Sequence, residues 1–550
     1  MLAFIALGAL VCRVAYLQLY MGGFYKEFAG KQAKGVIEST RGRGYIMDVN
    51  GDPLALNKKS ASLYVFAGEI NDRKVFIQKL KKSGLSLSDG TVTRLLKNTG
   101  FVWIERNIDV DMAERIKKAV PSVEYILEEQ RLYPERKMAA SIIGFTGTDN
   151  KGLGGLEYRY ENILQGHKLQ LLGLKDNRGK RIILEDTRKE KEIDTYMYLT
   201  IDKYLQGLSE EILREDTAKF MAQRGIAVAM DVYTGDILLA ASSGGFDAND
   251  YSRYPGSERK NYPAGFLYEP GSVFKPVLFS LLLDRKNLDT KELVNCENGK
   301  FTLYGHDIKD VHRYSILSVK DVLIKSSNIG TMKLSDRVSK KEFHDYMEKS
   351  GFGQKTGIQG TGEEEGILRD VKDWSGLSKP SISIGQEIMV TPLQLVRFYG
   401  AIANGGKLIN PKMVSKVENG GNIYRPKSEE TRIFSEATSK RLVELLSDVV
   451  TEGTGSNAQS DFVQIAGKTG TGQRIDKETG TYSDSEYVAS FAGIFPAENP
   501  RIAMVVLYKA PKTSIYGGST AAFTFRTLAE QISMYLGLKR SYVYESLPAS

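Results

Sequence analysis

The chain opens on an apolar run, "MLAFIALGALVCRVAYLQLY", interrupted by Arg13 and ending with Tyr16 and Tyr20. About 20 residues are needed to cross a bilayer, so residues 1–20 are expected to form a membrane anchor in which Arg13 snorkels or faces another helix. The run has neither the basic head nor the small-residue cleavage site of a secretory signal peptide. A buried core helix is the competing reading. From there to residue 194 the pattern is of short strand-like runs punctuated by glycine. The charge run "LEDTRKEKEIDT", Leu184 to Thr195, reads as a solvated linker that divides the chain near residue 195. Beyond it, "GIAVAMDVYTGDILLAAS" predicts two strands joined at Thr234-Gly235. "FVQIAG", "EYVASFAGIFP" and "RIAMVVLYKAP" predict three more, with Pro496 to Pro500 as a turn. The long stretch between is mostly helical in period. Strands at both ends of a helical middle predict one antiparallel sheet packed against helices, an α+β domain spanning residues 195–540, with a tail at 541–550.

"YEPGSVFKPVLFSLLLD", Tyr268 to Asp284, stands apart. From Val277 to Leu283 nearly every residue is apolar, which predicts a helix buried on most sides. Ser272 and Lys275 nevertheless sit at its head, on one helix face with Cβ atoms roughly 5–6 Å apart.

Composition narrows what such a pair can do. Lys+Arg 75 against Asp+Glu 67 leaves a net charge of +8 over 550 residues. That is too dilute for nucleic acid and compatible with an anionic membrane or wall polymer. Cys12 and Cys296 are the only cysteines, so neither a disulfide framework nor a thiolate metal site is available. Nothing in the sequence asks for a metal or cofactor.

A Ser-His-Asp triad needs a histidine, and none of His167, His306, His312 and His344 stands in a setting that marks it as a base. The G-x-S-x-G elbow also fails, because Pro270 and Phe274 occupy the glycine positions around Ser272. Lys275 remains. Burial lowers a lysine pKa, so a neutral Lys275 can take the Ser272 proton, and the helix N-terminus suits a developing oxyanion. On its own, S-x-x-K is more often an N-cap serine followed by a snorkelling lysine. Two further stretches change the balance. "KSSNIG" supplies Ser326 and Asn328, which project the same way from an extended loop. "GKTGTGQ" supplies Lys468, Thr469, Gly470 and Thr471 at the end of the strand-like "FVQIA", where a lysine and hydroxyls can bind a carboxylate and glycine admits a substrate backbone. The three motifs in this order form the signature of serine β-lactamases and penicillin-binding proteins. A phosphate-binding loop would need glycine where Phe462 stands, and "GLGGLE" has Glu157 in place of the third glycine of a dinucleotide fingerprint.

With these motifs the chain resembles the class B penicillin-binding proteins, membrane-anchored peptidoglycan transpeptidases. The likeness extends through "RGRGYIMDVNGDPLALN", which matches the family at Arg43, Gly44, Ile46, Asp48, Asn50, Gly51, Leu54 and Ala55. It continues through "RLYPE", "IIGFTG", "GLGGLEYRYENILQG", "LTIDKYLQ" and "SIGQEIMVTPLQLVRFYGAIANGG". The resemblance implies a pedestal domain over residues 21–194 and a transpeptidase domain over 195–540. It implies Ser272 as nucleophile toward the penultimate D-alanine of a D-Ala-D-Ala stem, and Lys275, Ser326, Asn328 and Lys468 as its catalytic companions. Thr469, Gly470 and Thr471 would contact substrate, with the Thr471 and Ser272 amides as oxyanion hole. It further implies inhibition by β-lactams and a single-pass anchor in the cytoplasmic membrane with the catalytic domain outside. The expected partners are a SEDS-type glycosyltransferase and other division-complex membrane proteins, with Arg13 facing protein. Asn328 in "KSSN" resembles division-type members more than elongation- or sporulation-type ones.

The sequence departs from the family at Phe523, where proline is usual, at Gly245 and in a leader without a basic tail. Two readings of other classes stay open. One is a β-lactamase or D,D-carboxypeptidase, although no E-x-x-L-N segment is present. The other is a non-catalytic β-lactam-sensing scaffold.

Overall fold

Every position of the strand Arg224–Asp231 is buried, because helices cover both faces of its sheet. Ile226, Val228 and Met230 enter one core and Ala227 and Ala229 the other, the two-residue alternation of a pleated strand. The computed structural model describes residues 2–22, 36–175, 181–185, 194–475 and 482–538; the expected tail and most of the charged linker lie outside them. The sheet is antiparallel throughout, in the order Ile237–Ser242, Arg224–Asp231, Ile502–Lys509, Tyr482–Phe495, Ala466–Ile475. Its first two strands turn at Thr234-Gly235 as expected, with Asp231 Oδ1 accepting the amides of Tyr233 and Thr234. Leu205 and Leu213 of helix Lys203–Lys219, with Phe525 and Leu528 of helix Ala521–Leu536, fill one face. Val277, Leu278 and Leu281 of helix Lys275–Arg285, with Leu395 and Phe398 of helix Pro392–Ala403, fill the other. Phe523 lies in the first turn of the last helix, so that departure leaves the strand before it intact.

One expected strand begins late. Phe462 and Val463 direct their amides to Ser460 Oγ in a turn, and the strand starts only at Ala466. The Lys468–Thr471 motif therefore runs along the sheet's edge strand rather than past its end.

The N-terminal half is richer in helix than its sequence reading. Strand Pro53–Phe66 pairs with Phe101–Ile108 and Glu124–Leu132, but helices Arg73–Lys82, Asp89–Lys97 and Val110–Ala119 cover one face of the trio through Phe76, Leu80, Leu95 and Ile116. Each is short and carries a single narrow apolar stripe among polar residues, which conceals its period. Asp72, Ser88 and Asp109 cap them. The chain is also stitched across residue 195, since Tyr45–Met47 pairs in parallel with Thr195–Leu199, which pairs with Val414–Asn419.

The motifs "RGRG" and "GLGGLE" meet in the interior. Arg43 Nε donates to Glu157 Oε2 at 2.8 Å and Arg131 Nε to Glu157 Oε1 at 2.6 Å, while Arg43 Nη2 reaches Glu161 at 2.8 Å. Burial alone would raise the Glu157 pKa; Arg131 and Arg43 outweigh it and hold it below the usual value. Removing one partner of such a buried pair costs about 3–5 kcal/mol. Glu157→Gln is expected to lower stability by that order, and a chemical-denaturation curve unchanged from wild type would contradict it.

At the N-terminus, helix Leu2–Ala15 continues into a wider turn at Tyr16–Tyr20. The α-helical part spans roughly 21 Å at 1.5 Å per residue. Among the described residues no helix is long and apolar enough to cross a membrane.

Candidate active site

Ser272 lies in the single 3₁₀ turn Gly271–Phe274, which feeds directly into helix Lys275–Arg285. Tyr399 holds this turn by donating its hydroxyl to the Val273 carbonyl at 2.9 Å. The Ser272 side chain is half-buried and makes no hydrogen bond among the described residues. Ser272 and Lys275 stand at the junction of turn and helix as expected, but no hydrogen bond joins their side chains among the described residues.

Lys275 is fully buried at the start of the helix. Its Nζ donates to the Ser326 carbonyl at 2.7 Å and to Asn328 Oδ1 at 2.9 Å, with Ser326 Oγ at 3.3 Å. The three acceptors match the three N–H groups of an ammonium, and loss of one proton keeps two of the contacts and leaves a lone pair that can take a proton back. Burial drives Lys275 in that direction, lowering its pKa to about 7 against the opposing pull of Asp310. Lys468, also fully buried, donates to the same Ser326 Oγ at 2.9 Å. Burial, and after it the charge of Lys275, push Lys468 well below the ordinary lysine value. Both lysines reach one hydroxyl, so a charge on Lys275 disfavours a second charge on Lys468.

Ser326 and Asn328 converge on Lys275, but not from an extended loop. Ser326 stands at φ 60°, a left-handed residue between helices Val319–Ile324 and Asn328–Leu334, and Asn328 opens the second of these. The sharp turn between two helices, not extension, aims both side chains at the lysine. Such a backbone is uncommon for a residue other than glycine and clusters at functional sites.

The edge strand closes the opposite side. A Cβ on Gly470 would lie 2.7 Å from Pro270 O, and one on Gly271 2.5 Å from Thr471 O. Glycine at both places allows the edge strand and the serine loop to touch backbone to backbone. This places the Thr471 main chain against the loop that carries Ser272. Lys468 does not reach solvent; besides Ser326 it contacts Thr469 O at 3.3 Å and the hydroxyls of Thr469 and Thr454, each at 3.4 Å. Thr454 and Thr469 share a hydrogen bond of 2.8 Å.

Three residues at the site were not singled out from sequence. Thr454 joins the Lys468 hydroxyl network. Gly385 accepts the Gly271 amide through its carbonyl at 3.0 Å, so "SIGQ" backs the loop that carries Ser272. Asp310 binds the Ser327–Ile329 corner. Only Gly385 carried a signal, since it lies in a stretch already matched to the family. A threonine and an aspartate in separate loops had none.

Known proteins resemble the chain along most of its length. Residues 225–530 match the family described as penicillin binding protein transpeptidase domain, and residues 38–194 the penicillin-binding protein dimerisation domain. Peptidoglycan D,D-transpeptidase FtsI of Escherichia coli K12 is 31% identical over 531 residues, 95% of this chain and 88% of the relative. Stage V sporulation protein D of Bacillus subtilis 168 is 30% identical over 541 residues, 96% of this chain and 83% of the relative. The crystal structure of penicillin binding protein 3 from Mycobacterium tuberculosis in complex with aztreonam superimposes with a TM-score of 0.71 at 25% identity, covering 92% of this chain and 98% of that one. With a family match over more than half its length and relatives 30–31% identical along nearly all of it, the chain belongs to the penicillin-binding protein transpeptidases.

Proposed function

We propose that the protein is a serine D,D-transpeptidase that cross-links peptidoglycan stem peptides through an acyl-enzyme on Ser272. The observation that carries this reading is that Ser326 and Asn328 bind Lys275, whose pKa burial has brought to about 7, while Lys468 binds the same Ser326 hydroxyl. Ser272 Oγ attacks the carbonyl of the penultimate D-alanine and its proton passes to neutral Lys275. The C–N bond to the terminal D-alanine then breaks, and the departing amine takes a proton relayed through Ser326. An acceptor stem amine next attacks the ester, the C–O bond breaks and Ser272 regains its proton. The edge strand, with Gly470 and Thr471, aligns the donor backbone, and the Thr471 and Ser272 amides form the oxyanion hole. β-Lactams acylate the same serine.

Purified protein incubated with D-Ala-D-Ala pentapeptide glycan and an acceptor stem should release D-alanine and form a cross-linked dimer by mass spectrometry. D-Alanine release with tetrapeptide alone would mean a carboxypeptidase. No release and no penicillin adduct would mean a scaffold.

Lys468 has no exposed surface, so we assign contact with the terminal carboxylate to Thr469, whose hydroxyl Lys468 and Thr454 orient. A charge-assisted hydrogen bond is worth roughly 1.5–3 kcal/mol, about ten- to a hundredfold. Thr469→Val should slow acylation by penicillin by that factor while leaving the penicillin carboxylate ester little changed. Equal losses on both substrates would reduce the residue to backbone alignment.

The cellular setting follows from the resemblance. Helix Leu2–Ala15, 14 residues, runs directly into the 5-residue wider turn Tyr16–Tyr20, together close to the about 20 residues that an anchor needs. Phe4, Leu7, Leu10 and Leu19 are exposed along it, which suits a single-pass anchor with the catalytic domain outside the cytoplasmic membrane. Asn328 favours a division role, with a SEDS-type glycosyltransferase contacting the anchor. Fractionation of a tagged chain into soluble material after high-salt washing would refute the anchor, and normal septation in a depleted strain would refute the role.

A further inference from the structure

The three catalytic motifs leave out an acidic residue that touches one of them at three points. Asp310 follows the hairpin Lys300–Leu303 and His306–Lys309, and its amide is pinned by donation to the Gly299 carbonyl at 3.2 Å. Its Oδ1 accepts the Asn328 amide at 2.6 Å and the Ile329 amide at 3.1 Å, and its Oδ2 accepts the Ser327 hydroxyl at 2.6 Å. All three partners lie next to or within the corner whose Ser326 carbonyl and Asn328 amide oxygen bind Lys275 Nζ.

A helix cap is the simplest role for such a carboxylate. Here the helix already has one, because Ser327 Oγ accepts the Gly330 amide at 2.9 Å. Asp310 comes from a different element and ties the hairpin to the left-handed turn at Ser326. The hairpin's next residue back, Lys309, accepts the Asn328 side-chain amide through its carbonyl at 3.2 Å. Backbone and side chain of Asn328 are thus both fixed from this one segment.

We propose that Asp310 is a positioning residue: it locks the Ser326–Asn328 corner against Lys275 and supplies the negative charge that this buried amine feels. This rests on the acylation chemistry proposed above. The sign of its electrostatic effect follows. Asp310 favours the protonated form of Lys275 against the dominant effect of burial, so removing its charge makes Lys275 easier to deprotonate. The other titratable groups around the pair are Lys468 from the edge strand, Lys309 and Tyr314 flanking Asp310, Cys296 and Glu297 before the hairpin, and Lys333 from the helix. Lys333 is held by Glu297 at 2.5 Å, which leaves Asp310 as the carboxylate that bears on Lys275.

Two substitutions separate charge from shape. Asp310→Asn keeps the acceptor for the Asn328 and Ile329 amides but drops the charge. Its rate of acylation by a fluorescent penicillin should reach half-maximum at a pH roughly 0.5–1.5 units lower than wild type. Asp310→Ala also loses the hydrogen bonds, and its plateau rate should fall about tenfold or more. Wild-type midpoint and plateau in both variants would overturn the proposal. So would lowered thermal stability with an unmoved midpoint, since that marks a plain helix cap. The lysine titration can also be followed without turnover, by ¹³C NMR of ε-labelled lysine with Lys275→Met to assign the signal. A wild-type protein that penicillin does not acylate would sink the transpeptidase reading; a Lys275 titration unmoved by Asp310→Asn would sink this one.

Discussion

Ser272→Ala is expected to abolish acylation by penicillin and stem-peptide cross-linking together, with no adduct on the peptide that contains residue 272 by mass spectrometry. Losing a covalent nucleophile removes the pathway rather than one interaction along it, and in serine enzymes this amounts to about 10⁴-fold or more. Substrate binding should survive, because the edge strand and Thr469 are untouched. Stability should survive too, since the Ser272 hydroxyl makes no hydrogen bond among the described residues and surface-like substitutions usually stay within about 0.5 kcal/mol. An alanine variant that folds like wild type and still forms a one-to-one penicillin adduct would require another nucleophile. Ser326 would be the first to test, because it too contacts Lys275.

How far the site could be read from sequence depended on whether each part is a local or a long-range fact. The serine helix declared itself because burial on all sides erases the polar stripe, and Lys275 through Leu282 are buried without a break. The strands Arg224–Asp231 and Ile502–Lys509 were legible for the same reason, with both faces covered. The start of the motif strand was not. "FVQI" has the composition of a strand, but the Ser460 hydroxyl captures two of its amides in a turn and the strand begins only at Ala466. The Ser326 turn was missed because the sequence specifies which side chains are near one another but not that a left-handed residue brings them there. Three short helices in the N-terminal half were hidden by their brevity and narrow apolar stripes, although Asp72, Ser88 and Asp109 each stood as a cap signal. Asp310 and Thr454 come from loops whose place is set by tertiary packing, where no period exists to be read.

Lys275→Arg should be nearly as inactive as the serine variant, for a different reason. Guanidinium stays protonated under all relevant conditions and cannot accept the Ser272 proton, so retaining the positive charge is no help. The wild-type enzyme should show the converse. Its base works only when neutral, and burial places the Lys275 transition at about 7. Acylation should therefore fall off below that pH, rise through it and level above, well short of the roughly 10.4 of a free lysine. The arginine variant should lack this rise and remain flat and low across the range. Packing gives a second handle. Arginine is bulkier than the fully buried lysine and must present several donors to a pocket whose acceptors are the Ser326 carbonyl, Ser326 Oγ and Asn328 Oδ1, so lost activity could reflect a distorted corner. Lys275→Met separates the two causes, since it keeps a linear side chain of similar length without a base. Both variants inactive, with a wild-type pH midpoint near 7, assigns the loss to proton transfer. Wild-type-like acylation in either, or a wild-type midpoint near the free-lysine value, would remove Lys275 from the role of base.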